Sequence, residues 1–184
     1  MVYLTTAYAP YFALNAVEDE GAALIVEVDT DHLDPARCFP DEDFVAQCLA
    51  YQEKRPLVAV HDGVQADMDS YQHLYALSVE RLGNLAYRGT IPADAITRYV
   101  SLTPESQPEL CMMSMDPCIS PLNYQFCGPK YRSIIAWLFG DREDFEVWGA
   151  GPVPGWPPPE QVSAMQSVWK NRAGISVITK GGSL

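Results

Sequence analysis

Two apolar segments near the start of the chain constrain its fold more than any other feature. Residues 2–6, VYLTT, and residues 21–30, GAALIVEVDT, are rich in the β-branched and aromatic side chains that favour strands. The segment between them, AYAPYFALNAVEDE, has the pattern of a helix, with Thr6 as its N-cap and Pro10 in its first turn. The continuous apolar run within 21–30 predicts a central strand.

The same alternation of strands and helices continues up to residue 102. Asp41 follows a loop punctuated by prolines and is placed to cap a helix. That helix carries an apolar stripe at helical spacing, formed by Phe44, Val45, Cys48, Leu49 and Tyr51. Later segments predict a strand at 57–61, an amphipathic helix at 67–83 ended by Gly83, and two strands joined by a proline turn within 84–102.

The character of the sequence changes after residue 102. A linker-like stretch and a polar-aromatic loop precede a short helix at 129–139, a proline-rich connection at 149–161, a last helix and a last strand. The chain is therefore predicted to be an α+β protein with a mixed sheet flanked by helices. We expect a core in residues 1–102, and a proline-rich C-terminal extension, 103–184, packed on that core.

Charge is distributed unevenly along the chain. Residues 1–80 contain 15 Asp and Glu against 3 Lys and Arg, a net charge of −12, whereas residues 81–184 contain 9 of each kind. A surface with negative electrostatic potential repels phosphates and attracts basic surfaces. Direct binding to nucleic acid is therefore not expected, and the acidic part either keeps the protein soluble or contacts a basic protein.

Several other classes of protein are not indicated by the sequence. No apolar run reaches the roughly 18–20 residues of a membrane span, and the N-terminus lacks the features of a secretory signal, so a cytoplasmic protein is expected. The five cysteines are scattered and match no zinc pattern, which predicts reduced thiols. The acid-rich segment 29–43 lacks the glycine and terminal glutamate of a calcium loop, so no metal site is expected.

The order of three short segments carries a resemblance to a known superfamily. The strand VYLTT runs directly into the helix AYAPYFALNA, the strand AALIVEV follows, and GNLAYRGTIPADAI comes later. This order, over roughly residues 2–102, resembles the ADP-ribosyltransferase fold of rifampin ADP-ribosyltransferases, RNA 2′-phosphotransferases and poly(ADP-ribose) polymerases. The resemblance implies a domain of that fold and, in an active member, NAD as the cosubstrate.

The resemblance also implies roles for individual residues. Tyr3 takes the place of the tyrosine that stacks on nicotinamide. The family's histidine lies on an earlier strand, and the sequence here starts at Met1, so that histidine is expected to be missing. The family's glutamate, which polarises the ribose 2′-hydroxyl, aligns with Ala86. Glu80 and His73 are the residues that would replace the glutamate and the histidine in an active enzyme.

Three functions are compatible with these observations. The preferred one is a non-enzymatic binding or inhibitor protein without a cofactor, on a degenerate ADP-ribosyltransferase-like scaffold, of the kind that a phage or mobile element would encode. It would engage a basic, nucleic-acid-binding surface of a bacterial protein complex through Asp41, Glu42, Asp43, Asp62, Asp67 and Asp69. The alternative is an active NAD-dependent ADP-ribosyltransferase that uses Tyr3, Glu80 and His73. An accessory protein with no charge-encoded partner is also compatible, and the oligomeric state is left open.

Overall fold

The computed structural model describes residues 1–54, 68–106, 121–143, 145 and 159–179, and it confirms an α+β protein. Its strands are β1 (Val2–Thr5), β2 (Ala23–Val28), β3 (Cys38–Pro40), β4 (Asn84–Tyr87), β5 (Ile96–Leu102) and β6 (Ile175–Thr179). Its helices are α1 (Ala9–Glu20), α2 (Glu42–Glu53), α3 (Tyr75–Leu82), α4 (Pro121–Leu138) and α5 (Pro159–Lys170). Short 3-10 segments occupy Thr30–His32, Pro35–Arg37, Met68–Leu74 and Pro104–Ser106.

The chain divides into two compact units that interleave along the sequence. The first unit comprises Met1–Ala7, Asp29–Ala95 and Cys118–Pro129. The second comprises Tyr8–Val28, Ile96–Pro117 and Lys130–Leu184. Each unit takes residues from both sides of position 102, so the division of the chain at that position stays a prediction.

The first unit is built on an antiparallel sheet with the strand order β1-β4-β3. Tyr3 on β1 lies opposite Ala86 on β4, which in turn lies opposite Phe39 on β3. These three residues share one face of the sheet, because directly paired residues point the same way. The buried core includes residues from this sheet, from α2, from α3 and from the 3-10 segment Met68–Leu74, namely Phe39, Phe44, Val45, Ala46, Met68, Leu82 and Ala86.

The second unit is built on an antiparallel sheet with the strand order β2-β5-β6. Ile25 on β2 pairs with Val100 on β5, and both side chains are buried on the same face. The opposite face is more open, since Leu24 is 59% exposed and Val26 is 44% exposed. In the described sheet β2 lies at an edge and its apolar run is covered on one face, which differs from the central position that the sequence predicts.

The single mixed sheet expected from the sequence is replaced by two purely antiparallel sheets in the described residues. A strand-helix-strand order such as β1-α1-β2 suggests a parallel crossover within one sheet. Here β1 and β2 belong to different units and pair with β4 and β5, which come much later in the chain. The topology therefore depends on which distant strand each strand pairs with, and local sequence patterns do not encode that pairing.

An aromatic cluster forms the interior of the second unit. The rings of Trp137 on α4 and Trp169 on α5 stack with centroids 5.5 Å apart and planes 3° from parallel, and Phe145 contacts both rings. The guanidinium of Arg172 lies 5.0 Å from the centre of the Trp137 ring. It also donates hydrogen bonds of 2.8 Å to the carbonyl oxygens of Trp137 and Leu138, which satisfies acceptors at the end of α4.

Several local expectations differ from the structure. Thr6 does not cap α1, whose N-cap is Tyr8 without a side-chain cap, and the Thr6 hydroxyl instead lies 3.1 Å from the Tyr124 hydroxyl. Tyr51 is 87% exposed and does not join the buried stripe of α2. The predicted helix at 67–83 is a 3-10 segment followed by α3, and α4 begins at Pro121, which places Pro129 inside the helix. The expected strand at 57–61 and most of the proline-rich connection lie outside the described residues.

Candidate functional site

The N-terminus of α2 is anchored by the predicted cap residue, Asp41. Its backbone is extended, and its carboxylate accepts a hydrogen bond of 2.9 Å from the Asp43 N–H. The Asp41 N–H donates to Ser78 Oγ at 3.0 Å, and the Ser78 hydroxyl donates to the Asn84 carbonyl oxygen at 2.8 Å. This buried chain of bonds joins the start of α2 to α3 and β4.

The electrostatic environment of Asp41 opposes its ionisation. The side chain is buried, and burial together with the neighbouring charges of Asp43 and Glu42 raises the pKa of Asp41 to about 6. Hydrogen bonds from the backbone N–H groups of Asp43 and Phe44 act in the opposite direction, but they are outweighed. Asp41 therefore changes its charge near neutral pH, unlike an exposed aspartate.

Tyr3 lies beside this helix start and joins the acidic residues into one cluster. It occupies an edge strand, is 53% exposed, and donates a hydrogen bond from its hydroxyl to the Glu42 carboxylate. Partial burial of the hydroxyl, followed by the hydrogen bond and negative charge of Glu42, raises the pKa of Tyr3. We call Tyr3, Asp41, Glu42 and Asp43 the acidic cluster.

The other predicted contact residues lie in different settings. Glu42 and Asp43 are half-buried, whereas Asp41 is 7% exposed and has little surface to offer a partner. Asp69 is exposed and forms an ion pair of 2.6 Å with Arg88, whose guanidinium also lies over the Phe39 ring. Asp62 and Asp67 lie outside the described residues.

The residues proposed for an active enzyme are not joined into one site by the described contacts. Glu80 is exposed on α3, with a carboxylate oxygen 3.2 Å from the Arg81 guanidinium, and His73 is exposed in the segment Met68–Leu74. No hydrogen bond or ion pair within the described residues connects either of them to Tyr3. Ala86 is fully buried directly opposite Tyr3. The enzymatic roles of Tyr3, Glu80 and His73 stay predictions.

The described residues contain no group of three or more His, Cys, Asp or Glu side chains that could hold a metal ion. Burial raises the pKa of the Cys38 and Cys48 thiols, which keeps them in the unreactive protonated form. Within the same residues, no helix has both the length and the apolar character needed to cross a membrane.

Sequence reasoning missed the polar residues that hold the acidic cluster in place. Ser78 lies within the predicted amphipathic helix 67–83 and Asn84 within the strands predicted in 84–102, and neither pattern indicates a role for these side chains. Both side chains are buried, and Asn84 Oδ1 has no hydrogen-bond partner among the described residues. The only signal in the sequence was a polar residue at a position whose helical neighbours are apolar.

Comparison with protein-family models, curated proteins and solved structures finds no match to this chain.

Proposed function

We propose that this chain is a non-enzymatic acidic protein that binds the basic, nucleic-acid-binding surface of another protein. The observation that carries this proposal is the acidic cluster at the start of α2. It places the half-buried side chains of Glu42 and Asp43 next to the exposed side chain of Tyr3, with Glu42 Oε2 itself buried. A carboxylate beside an aromatic face suits a Lys or Arg side chain, which can pair with the one and stack on the other.

The charge of the first unit supports the same function. Its segments contain 12 Asp and Glu against 5 Lys and Arg, a net charge of −7. A negative unit of this kind accelerates encounter with a positive surface and disfavours contact with phosphates. A basic channel that normally binds DNA or RNA in a bacterial complex has the complementary charge. The ADP-ribosyltransferase-like ancestry of the scaffold is part of this proposal.

The test compares two charge-reversed variants that have the same net charge. E42K/D43K changes the acidic cluster, whereas E18K/E20K changes two exposed glutamates at the end of α1. Tagged wild type and both variants are incubated with bacterial lysate at low and high salt, with and without competing duplex DNA. We expect wild type and E18K/E20K to retain a protein that E42K/D43K does not retain, and we expect salt or DNA to release it.

Two results would contradict this function. Equal capture by all three proteins would show that the acidic cluster is not the contact surface. A captured protein that gains the mass of ADP-ribose only when NAD is added would instead support the alternative, an active ADP-ribosyltransferase. Intact-mass measurement of the captured protein distinguishes these results, and thermal unfolding of each variant verifies that it is folded.

A further inference from the structure

We propose that the partner binds by adding an extended segment, in which apolar residues alternate with Lys or Arg, to the outer edge of β1. This inference rests on the proposed function and specifies the form that the partner takes at the acidic cluster. Three observations support it: the hydrogen-bonding pattern of β1, the exposed side chains on that strand, and the negative charge of the adjacent acidic cluster.

The outer edge of β1 presents backbone groups for pairing. In the first unit this strand pairs with β4, and no other described strand lies beside it. The Thr6 N–H donates to the Gly83 carbonyl oxygen at 2.7 Å. Because bonded and non-bonded positions alternate along an antiparallel pair, Leu4 and Val2 also bond to β4. The N–H and C=O of Tyr3 therefore point away from β4, towards the side on which the described residues place no strand.

The two faces of an added strand would meet different surfaces. A residue opposite Tyr3 would lie on the same face as Tyr3, because paired residues share a face. That face carries the acidic cluster, since the Tyr3 hydroxyl bonds to Glu42. A Lys or Arg at this position would lie beside Tyr3, whose hydroxyl already experiences the negative charges of Glu42 and Asp43. Its neighbours in the added strand would lie on the other face, beside Val2 and Leu4, where apolar side chains fit.

The charge of the chain favours a basic partner over a second copy of the same protein. Pairing of two β1 edges would bring two acidic clusters together on molecules that each carry a net charge of −12. Like charges placed across an interface oppose association. Val2 and Tyr3 are 38% and 53% exposed, so side chains of an incoming strand have apolar area to cover. Strand addition of this type draws affinity from the backbone and specificity from alternate side chains.

The probe is a capped ten-residue peptide in which valine and lysine alternate, labelled for fluorescence anisotropy. Two control peptides have the same length, one with all valines before all lysines and one with glutamate in place of lysine. A third carries N-methyl groups on the backbone amides along one edge. We expect the alternating peptide to bind the full chain, and we expect each control to bind at least about tenfold more weakly.

A matched pair of protein variants isolates the backbone donor. Tyr3→Ala removes the ring but keeps the N–H, whereas Tyr3→Pro removes both and leaves the β1–β4 hydrogen bonds intact, because the Tyr3 N–H points outward. We expect Tyr3→Pro to bind the alternating peptide about tenfold more weakly than Tyr3→Ala. Glu42→Gln/Asp43→Asn should weaken binding and reduce its dependence on salt.

Equal binding of the alternating and block peptides, or of the N-methylated and unmodified peptides, would overturn strand addition without using any variant that could misfold. A dimer that dissociates when the peptide is added would identify a second copy as the natural occupant and would also overturn the proposal. The proposed function fails separately, if charge reversal at Glu42 and Asp43 leaves capture from lysate unchanged. If charge reversal abolishes capture from lysate but the alternating peptide does not bind, the proposed function stands and strand addition at β1 is rejected.

Discussion

At the scale of single residues, Asp41 combines two opposing contributions to stability. Its carboxylate caps α2 through the Asp43 N–H, an interaction that is typically worth about 1 kcal/mol. The same carboxylate is buried beside two like charges, and this raises its pKa to about 6. Cap geometry therefore favours an acceptor at this position, whereas the surroundings disfavour the negative charge.

The balance at Asp41 predicts a dependence of stability on pH. The pKa of about 6 in the folded state exceeds the ordinary value of 3.8, so the folded protein binds this proton more tightly than the unfolded chain. The stabilising contribution of the protonated form is complete below pH 3.8 and is lost as pH rises through 6. We expect Asp41→Asn, which keeps an acceptor without charge, to be more stable than wild type at pH 7 and to show no advantage in acid. Urea unfolding across this pH range measures the difference.

Asp41→Ala is the control for the cap. It removes both the charge and the acceptor, so at pH 7 its free energy of unfolding should be about 1 kcal/mol lower than that of Asp41→Asn. If Asp41→Asn were less stable than wild type at pH 7, the carboxylate would be stabilising and the raised pKa would be contradicted.

At the scale of elements, two helices end at glycines whose surroundings differ. Gly21 and Gly83 end α1 and α3 in the left-handed conformation, with φ of 79° and 76°. A Cβ at Gly21 would meet no atom within 4 Å. A Cβ at Gly83 would lie 2.8 Å from Thr6 Oγ1 and would overlap the Tyr124 ring. Backbone conformation favours glycine at both positions, and packing favours it at Gly83 as well.

This difference predicts unequal effects of one substitution. Gly21→Ala should destabilise the protein by about 1 kcal/mol, which is the cost of a left-handed alanine. Gly83→Ala should cost more, because Thr6 or Tyr124 must also move to make room for the methyl group. Thermal unfolding of the two variants tests the prediction. Equal losses of stability would show that the close approach to Tyr124 has no energetic consequence.

A second contact between elements lies in the sheet of the second unit. The Arg98 guanidinium on β5 donates hydrogen bonds of 2.7 Å to Glu27 Oε2 on β2 and to Asp141 Oδ1 after α4. It also lies 4.6 Å from the centre of the Phe139 ring. The hydrogen bonds and charge of Arg98 lower the pKa of the Glu27 and Asp141 carboxylates. One planar side chain thereby joins a strand edge to a helix end.

Arg98→Lys should destabilise the protein by roughly 1 kcal/mol, because an ammonium cannot form the paired hydrogen bonds of a guanidinium. The lowered pKa values mean that the stabilisation is present above the ordinary carboxylate pKa and is lost as pH falls through the lowered folded values. The difference between wild type and Arg98→Lys in urea should therefore shrink in acid. Arg37→Lys, at an exposed pair of 3.8 Å with Asp34, is the control and should have little effect at any pH. A constant difference down to low pH would contradict this account.

At the scale of the whole molecule, negative charge is a property of both units. The first unit has a net charge of −7, and the second, with 12 acidic and 7 basic residues, has −5. Repulsion between like charges destabilises a compact state and is weakened by salt. The same charge that favours encounter with a basic partner therefore opposes folding at low ionic strength.

We expect the thermal unfolding midpoint to rise when sodium chloride is increased from about 0.01 M to about 0.3 M, over which range charge interactions are progressively screened. Binding to the alternating valine-lysine peptide should change in the opposite direction and weaken. Sucrose, which does not screen charge, is the control for general solute effects. A midpoint that falls with salt would show that attractive ion pairs, such as that of Arg98, outweigh the net repulsion.

Several local elements followed directly from the order of side-chain types. The apolar runs VYLTT and GISVITK became β1 and β6, Asp41 became the cap of α2, and Gly83 ended α3, because these features depend on side-chain type and backbone preference within a few residues. The α+β class followed from the same patterns. Expectations drawn from the resemblance, including the roles of Glu80 and His73, stay predictions.

Long-range packing set which strands pair and which residues meet. The assignment of β2 to a sheet edge, and the partition of the chain into two interleaved units, depend on contacts between residues far apart in sequence. The meeting of Tyr3 with Glu42 and the buried position of Asp41 depend on the same contacts. A local pattern specifies whether a segment can form a strand, but the long-range pairing that gives that strand its neighbours is set by packing of the whole chain.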